Sequence, residues 1–258
     1  MASIDLNSDV GESYGIYRLG NDAAVLDHVS SANVACGMHA GDPQTIAATV
    51  QLAIARGVSI GAHPGFADLQ GFGRRPMHLG VEELYNLMLY QIGALQAFAK
   101  AAGNRLVHVK THGALYNMAA RDRAMARAIC DAVRDADREL VFFGLAGSEL
   151  VHAARDTGLT VAEEVFADRT YQDDGSLTPR TDPRAMITDV QQSVDQVLRM
   201  VRFGVVRSVN GVDVPVRPDT LCIHGDQPGA AQFAQVIRQA LEAEGIAVRA
   251  IGHVPTSL

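Results

Sequence analysis

Polar and ionisable side chains recur at the carboxyl ends of the predicted strands of this sequence. They comprise Asp5, Asn7, Asp9, His39, Asp42, His63, His108, Lys110, His112, Glu163, Glu164, Asp168, Arg169, His224 and Asp226. Strands of a parallel barrel are buried on both faces and are normally almost entirely apolar. Burying so many ionisable groups without a function would be costly. We therefore expect an active site at the rim where the carboxyl ends of the strands meet.

Three of these residues, Asp9, His39 and His63, follow successive strands and together suit a divalent metal ion. Two imidazoles and one carboxylate leave coordination positions open for water and substrate. His39 and His63 lie in the glycine-containing turns CGMHAGDP and GAHPGF, where backbone can approach a ligand closely. The spacing is equally compatible with a metal-free acid–base site, because the three residues are far apart in the sequence.

Some of the polar residues also have purely structural interpretations. Asp42 precedes a proline directly and Asp226 lies two residues before one, so both are candidate helix N-caps. Asp5 and Asn7 lie deep enough in the first strand to serve as structural hydrogen-bonding groups.

The elements that must position these side chains alternate between short β-branched runs and helical patterns. Candidate strands cover residues 3–9, 32–36, 58–63, 106–111, 140–145, 160–166 and 220–224, with 247–251 as a candidate closing strand. Strands that are each followed by a helix predict parallel pairing and right-handed crossovers. At 258 residues the expected fold is an α/β protein with a closed (β/α) barrel, complete or slightly irregular. An open doubly wound sheet is the alternative.

Helix boundaries are indicated by capping residues. Asp182-Pro183 resembles an N-cap followed by proline at the first helical position, and it predicts a helix start. Gly103, Gly158 and Gly245 are expected to end helices.

We expect one domain over residues 1–258 with a hairpin excursion near residues 205–216. Asn210-Gly211 between β-rich flanks is the strongest short-range signal for a hairpin. The hairpin is expected to project from the barrel as a flap or contact arm. No repeat, low-complexity tract or linker divides the chain.

Composition argues against several classes of partner. The balance of 22 basic and 29 acidic residues gives a net charge of −7, which disfavours nucleic acid and anionic membranes. The start of the chain lacks a secretory pattern, and no apolar stretch approaches about 20 residues. Three widely spaced cysteines suit reduced thiols, with Cys36 and Cys222 packed as small apolar side chains. We expect a cytoplasmic protein that acts on a small molecule.

Two common catalytic motifs are missing from the sequence. It contains no G-x-x-x-x-G-K-[ST] phosphate loop and no G-x-S-x-G nucleophile elbow. The segment GFGRR (residues 71–75) is a weak signal for an anion-binding lip. The chain therefore shows no standard ATP site of its own.

Eight motifs in order resemble the LamB/YcsF family over essentially the whole chain. They are DLNSDVGE, SANVACGMHAGDP, GAHPGFAD, GFGRR, VKTHGALYN, GLAGSE, EEVFADRTYQDDGSLTPR and HGD. Eight ordered motifs are far more specific than any single one. Thr111 departs from the pattern, because the family usually has proline between the lysine and the histidine, and the change affects the expected direction of His112.

The resemblance implies a seven-stranded (β/α) barrel of the glycoside hydrolase/deacetylase type. It also implies ring opening of 5-oxo-L-proline to L-glutamate, driven by ATP hydrolysis, together with two partner subunits, B and C. Because this chain lacks a nucleotide motif, we hypothesise that the partners use the ATP to phosphorylate the lactam oxygen. This chain would then direct water onto the activated carbon, with a divalent metal as an optional cofactor.

Residue roles follow from position and chemical type. Asp9 is the expected general base, and Lys110 and Arg169 are expected to stabilise phosphate or oxyanion charge. The predicted catalytic residues are Asp9, His39, His63, Lys110, His112, Asp168, Arg169 and His224. The predicted substrate-binding residues are Asn7, Glu12, Arg74, Glu164 and Arg180. The candidate metal ligands are His39, His63 and Asp9.

Two other functions remain open at this point. The chain could be a metal-dependent amidase or deacetylase of N-acylated sugars that uses Asp9, His39 and His63 without ATP. It could also be a non-catalytic scaffold subunit that binds partners through the hairpin around Asn210.

Overall fold

Seven parallel strands close into a barrel in the computed structural model, which describes residues 2–225 and 229–252. The strands are β1 (Ser3–Val10), β2 (Ser31–Ala35), β3 (Ser59–His63), β4 (His108–Lys110), β5 (Val141–Leu145), β6 (Val161–Phe166), β7 (Val205–Arg207), β8 (Asp213–Pro215), β9 (Thr220–His224) and β10 (Ala247–Val248). The helices are α1 (Asp22–Val25), α2 (Pro43–Ala55), α3 (Val81–Ala101), α4 (Gly113–Ala119), α5 (Arg123–Ala136), α6 (Glu149–Asp156), α7 (Val190–Phe203) and α8 (Ala230–Ala243).

The barrel runs β1-β2-β3-β4-β5-β6-β9 and returns to β1, with every pair parallel. Closure pairs Asp5 with Thr220 at one end of the β1–β9 ladder and Asp9 with His224 at the other. The predicted irregular (β/α) barrel with seven strands is confirmed, and the open sheet is wrong.

The last predicted strand does not close the barrel. Among the residues that the structure describes, β10 pairs with Ser3 and Ile4 of β1 alone. These two residues precede Asp5, where the pairing with β9 begins, so β10 extends the sheet outside the ring along the part of β1 that β9 leaves open.

The helices bury apolar faces against the outside of the barrel. In α3, the residues Leu84, Met88, Ile92 and Leu95 repeat at helical spacing and are almost completely buried, as predicted. Within residues 2–225 and 229–252, no helix combines the length and apolarity needed to span a membrane.

The predicted helix start at Asp182-Pro183 is wrong. Helix α7 begins at Val190, and its N-cap Asp189 accepts a hydrogen bond from the backbone N–H of Gln192. Asp182 instead begins a turn, in which the N–H of Ala185 donates to its carbonyl, and the N–H of Ile187 then donates to the carbonyl of Asp168. This tertiary pairing prevents the helix from starting earlier.

Other helix boundaries follow the prediction. Gly103, Gly158 and Gly245 follow helices and have φ angles of 74°, 78° and 74°, which favour glycine. Asp42 caps α2, since its Oδ1 accepts from the N–H groups of residues 44 and 45 at 2.9 and 3.0 Å. Asp226 lies outside the described residues.

The hairpin is present, with β7 and β8 antiparallel around Asn210-Gly211. Its turn is fastened to a neighbouring loop: the N–H of Val209 donates to the carbonyl of Tyr171 at 2.9 Å, and Asn210 donates to Asp173 at 3.1 Å. The hairpin therefore packs against the loop that follows β6.

Candidate active site

A buried lysine lies at the centre of the polar residues. The Nζ of Lys110, on β4, is 2.9 Å from Asp9 Oδ1, 2.9 Å from Glu164 Oε1 and 2.9 Å from Cys222 Sγ. It also donates to Asn7 Oδ1 at 3.3 Å. Burial alone would lower the pKa of Lys110, but the two carboxylates and the thiol outweigh it and raise that pKa well above its usual value.

A layer of neutral hydrogen-bonding groups lies beneath this lysine. Asn7 donates to Glu164 Oε1 and to Thr220 Oγ1, and the hydroxyl of Tyr116 donates to Glu164 Oε2 at 2.7 Å. Asn7, Glu164 and Thr220 are completely buried. Asn7 and Glu164, predicted to bind substrate, therefore lie where they position Lys110.

Asp9, at the carboxyl end of β1, has two different oxygens. Its Oδ1 accepts from Lys110 and from Asn33 Nδ2, at 2.9 and 2.8 Å, while Oδ2 is 3.3 Å from His63 Nε2. Burial alone would raise the pKa of Asp9, but the neighbouring His63 and Lys110 outweigh burial and hold that pKa well below its usual value. Asp9 is therefore a carboxylate at neutral pH.

Two histidines beside Asp9 are anchored by backbone carbonyls. His63 Nδ1 lies 2.8 Å from the carbonyl of Lys110, and His112 Nε2 lies 2.8 Å from the carbonyl of Phe72. The two inward nitrogens, His63 Nε2 and His112 Nδ1, are 2.9 Å apart. Each backbone contact fixes one ring nitrogen as the N–H donor.

His39 and Glu12 complete this side of the site. The ring of His39 stacks on that of His112, with centroids 3.8 Å apart and planes 5° from parallel. Its Nε2 is 3.9 Å from Glu12 Oε1, and neither of its ring nitrogens has a hydrogen-bond partner within the described residues. Burial is the main cause that lowers the pKa of His39 well below its usual value.

The segment Gly71–Arg75 covers these histidines. A Cβ added to Gly73, whose φ is 62°, would lie 2.8 Å from both His39 Cβ and His112 Cδ2. Asp68 holds the end of the segment through an ion pair with Arg75. The guanidinium of Arg74 lies 4.8 Å from the centre of the Phe72 ring.

The opposite side of the site is built on β6 and β9. Asp168 accepts from His224 Nδ1 at 2.8 Å, and Arg180 lies 3.2 Å from His224 Nε2. Burial alone would raise the pKa of Asp168, but the charge of His224 outweighs it and lowers that pKa. Arg169 donates to the carbonyls of Thr178 and of residue 185, so its guanidinium secures the loop after β6. Burial lowers the pKa of Arg169 to about 10.

A small cavity of about 40 Å³ lies between the two sides and has room for a few water molecules. It is lined by Asp9, Glu12, His63, Arg74, Lys110, Thr111, His112, Gly113, Tyr116, Asn117, Phe166, Arg169, Leu177, Arg180 and His224. A larger groove of about 740 Å³ beside α7 contains none of the predicted site residues among those described.

The predicted residues therefore converge, and several unpredicted ones join them. Asn33, Tyr116 and Cys222 contact Asp9, Glu164 and Lys110 respectively. Asn33 is the one with a clear sequence signal, an amide side chain at the centre of the buried strand β2. Asp5 is structural as expected, since it accepts from Ser31 and Thr220 in the barrel floor.

The order and geometry of these residues agree with one protein family. A model of the LamB/YcsF family matches residues 4–256. The chain belongs to the LamB/YcsF family. Thr111, the departure from the usual family pattern, leaves His112 directed at His63.

Relatives in the LamB/YcsF family match nearly the full length of the chain. The protein named as the A subunit of 5-oxoprolinase from Bordetella pertussis is 61% identical, over 96% of this chain and 98% of its own. The protein of the same name from Geobacillus kaustophilus is 60% identical, over 97% of each chain. The crystal structure of the lactam utilization protein from Thermus thermophilus is 51% identical, with a TM-score of 0.91, over 96% of this chain and 100% of that chain.

Proposed function

We propose that this chain is the hydrolytic A subunit of an ATP-dependent 5-oxoprolinase, which opens the lactam of 5-oxo-L-proline to give L-glutamate. The observation that carries the proposal is the buried Asp9–Lys110 pair at the mouth of a barrel whose relatives are named as the A subunit of 5-oxoprolinase. A paired carboxylate and ammonium can activate water and stabilise negative charge at one carbon.

The substrate explains why ATP and partner subunits are needed. A five-membered lactam is a stable amide, and this chain has no phosphate-loop motif. In the proposed reaction, subunits B and C use ATP to phosphorylate the lactam oxygen. Water then adds to the activated carbon, the carbon–nitrogen bond breaks, and the ring nitrogen takes up a proton. Hydrolysis of the resulting acyl phosphate releases glutamate and phosphate.

Asp9 is suited to take the proton from the attacking water. It is ionised at neutral pH, and its Oδ1 is held by Lys110 and Asn33 while Oδ2 lies towards His63. Lys110 is positively charged and borders the cavity, so it stabilises negative charge that develops on oxygen.

His224 is suited to deliver a proton to the departing ring nitrogen. Its Nδ1 is held by Asp168, which fixes the ring orientation. Its Nε2 lies 3.2 Å from the guanidinium of Arg180, which only donates hydrogen bonds, so Nε2 can carry the transferred proton once Arg180 has turned to the substrate. We assign Arg74 and Arg180, both on the cavity lining and exposed, to the carboxylate or phosphate of the activated substrate.

A cytoplasmic location is part of the same proposal. The three cysteines are free thiols, and all are buried. This arrangement suits a reducing compartment, where ATP is also available.

The test is glutamate release from 5-oxo-L-proline and ATP by the purified chain, with and without candidate subunits B and C. The proposal predicts release only from the complete mixture. Release by no combination would overturn it. Turnover of N-acylated sugars by the chain alone with divalent metal would favour the amidase alternative.

A further inference from the structure

His63 and His112, at the carboxyl ends of β3 and β4, have hydrogen-bonding requirements that conflict with each other. A carbonyl oxygen only accepts hydrogen bonds, so His63 must carry its hydrogen on Nδ1 and His112 on Nε2. In the neutral rings, His63 Nε2 and His112 Nδ1 are then both bare lone pairs. These two lone pairs face each other at 2.9 Å.

Two facing lone pairs need a positive species between or beside them. One solution is an extra proton, and the other is a cation. A shared proton would satisfy only these two nitrogens, whereas a cation can also take the carboxyl oxygen of Glu12, 3.8 Å from His112 Nδ1. A cation bound by both nitrogens removes the repulsion without protonating either ring.

The carboxyl group of Glu12 and the ring of His39 lie beside the same two nitrogens. Glu12 Oε1 is 3.8 Å from His112 Nδ1, and Glu12, His39, His63 and His112 each offer one donor atom within 4.8 Å of the others. All four residues are buried. His39, 1% exposed, has both ring nitrogens without a hydrogen-bond partner in the described part of the chain.

We propose that Glu12, His63 and His112 bind one divalent transition-metal ion of the Zn²⁺ type at this rim. Two nitrogens that bind one tetrahedral Zn²⁺ at about 2.1 Å are about 3.4 Å apart, so the two ring nitrogens, now 2.9 Å apart, must separate by about 0.5 Å when the ion binds. Because His39 and His112 are parallel and stacked, one ion cannot lie in the planes of both rings. The proposed ligand set therefore includes His112 and not His39. The ring of His39 stacks on His112 and holds that ligand in place.

The position of this site gives it a use in the proposed reaction. Asp9 Oδ2 is 3.3 Å from His63 Nε2, the nitrogen that would bind the ion. The ion and Asp9, the proposed general base, would therefore lie next to each other at the cavity. A bound Zn²⁺ would supply Lewis-acid stabilisation of charge on oxygen there. This catalytic use rests on the proposed function, whereas metal binding itself does not.

The test is metal binding by the purified full chain after chelator treatment. Zn²⁺ is titrated calorimetrically, and Co²⁺ is titrated by visible absorption, which reports nitrogen and oxygen coordination. We expect one equivalent per chain. His112→Gln should weaken binding by more than about 100-fold, since loss of an outer partner alone typically costs 10–100-fold.

Matched variants keep the result interpretable. Glu12→Gln is a second ligand variant in case His112→Gln fails to fold. The control is His152→Gln, at an exposed position of α6, which should bind Zn²⁺ as the wild type does. No binding by the wild type, or equal binding by His112→Gln and wild type, would overturn the proposal. A metal-free ¹⁵N spectrum showing one proton shared by His63 and His112 at neutral pH, without Zn²⁺ uptake, would also overturn it.

Discussion

At the scale of single residues, charge balance in the barrel mouth depends on Lys110. Its ammonium contacts the carboxylates of Asp9 and Glu164, and all three side chains are at least nine-tenths buried. Removing one member of a buried ion pair strands an uncompensated charge, which costs far more than the pair contributes.

Replacing Lys110 with methionine should therefore destabilise the fold. We expect Lys110→Met to lower the free energy of unfolding by about 3–5 kcal/mol, measured by urea denaturation at pH 7. Lys100→Met, at the exposed end of α3, is the control and should change stability by less than about 0.5 kcal/mol. Equal stability of Lys110→Met and wild type would contradict this account of the lysine.

Buried histidine makes the stability pH-dependent. Burial and the charge of Lys110 lower the pKa of His108 to about 3, so the folded protein keeps this ring neutral. The unfolded chain takes up a proton below about pH 6.5, which favours unfolding. This contribution to stability is present above pH 6.5 and is lost as pH falls towards 3, by up to about 1.4 kcal/mol per unit.

Urea denaturation of wild type and His108→Gln at pH 7, 6 and 5 checks this effect. Glutamine keeps a donor for Asn33, the partner of His108 at 2.7 Å, but has no proton to gain. The variant should show a shallower loss of stability below pH 6.5. Identical slopes in both proteins would show that His108 does not titrate as described.

Charged residues of the site were predictable from sequence, and neutral ones were less so. Asp9 and Lys110 are conspicuous because each is an ionisable side chain in a strand that was predicted to be buried. Tyr116 and Cys222 match ordinary core residues in type, and only their contacts with Glu164 and Lys110 reveal a different role. Periodicity shows which face a side chain occupies but not which residue it meets across the barrel.

At the scale of elements, the loop Gly71–Arg75 organises the histidines. Its Phe72 carbonyl, at a residue with a φ of 54°, fixes the tautomer of His112. Arg74 of this loop also lines the small cavity, so the loop forms part of the cavity wall. The sequence predicted an anion-binding lip here. It did not indicate the contact with His112, because that residue lies 40 residues further along the chain.

A methyl group on Gly73 should disturb this cover. In Gly73→Ala the new Cβ would press on His39 and His112 at 2.8 Å, in addition to the cost of its positive φ. We expect at least a tenfold loss of glutamate formation by the complete complex. Gly57→Ala has a similar φ of 66° but no atom within 4 Å, so it should retain activity. Equal activity of the two variants would contradict the role of the loop.

Strand positions were largely predictable, because buried β-branched runs mark them directly. The start of α7 was not, since the pairing of Ile187 with Asp168 overrides the capping signal at Asp182. Local signals specify a helix start only where no tertiary partner competes for the same backbone groups.

At the scale of the whole molecule, barrel closure creates the site. The β1–β9 pairing places Asp9 directly beside His224, although the two residues come from opposite ends of the chain. The cavity is then lined by Asp9 and Lys110 and by His224, whose ring is held by Asp168. An open sheet would leave the proposed base and the proposed proton donor apart.

The most direct test of this account is glutamate formation by the complete complex containing Asp9→Asn. Loss of a general base typically costs 10²–10⁴-fold, so we expect a fall of at least about 100-fold with assembly of the complex unchanged. Asp27→Asn, in an exposed ion pair before β2, is the control and should retain full activity. Wild-type glutamate formation by the Asp9→Asn complex would contradict the account and indicate a non-catalytic scaffold.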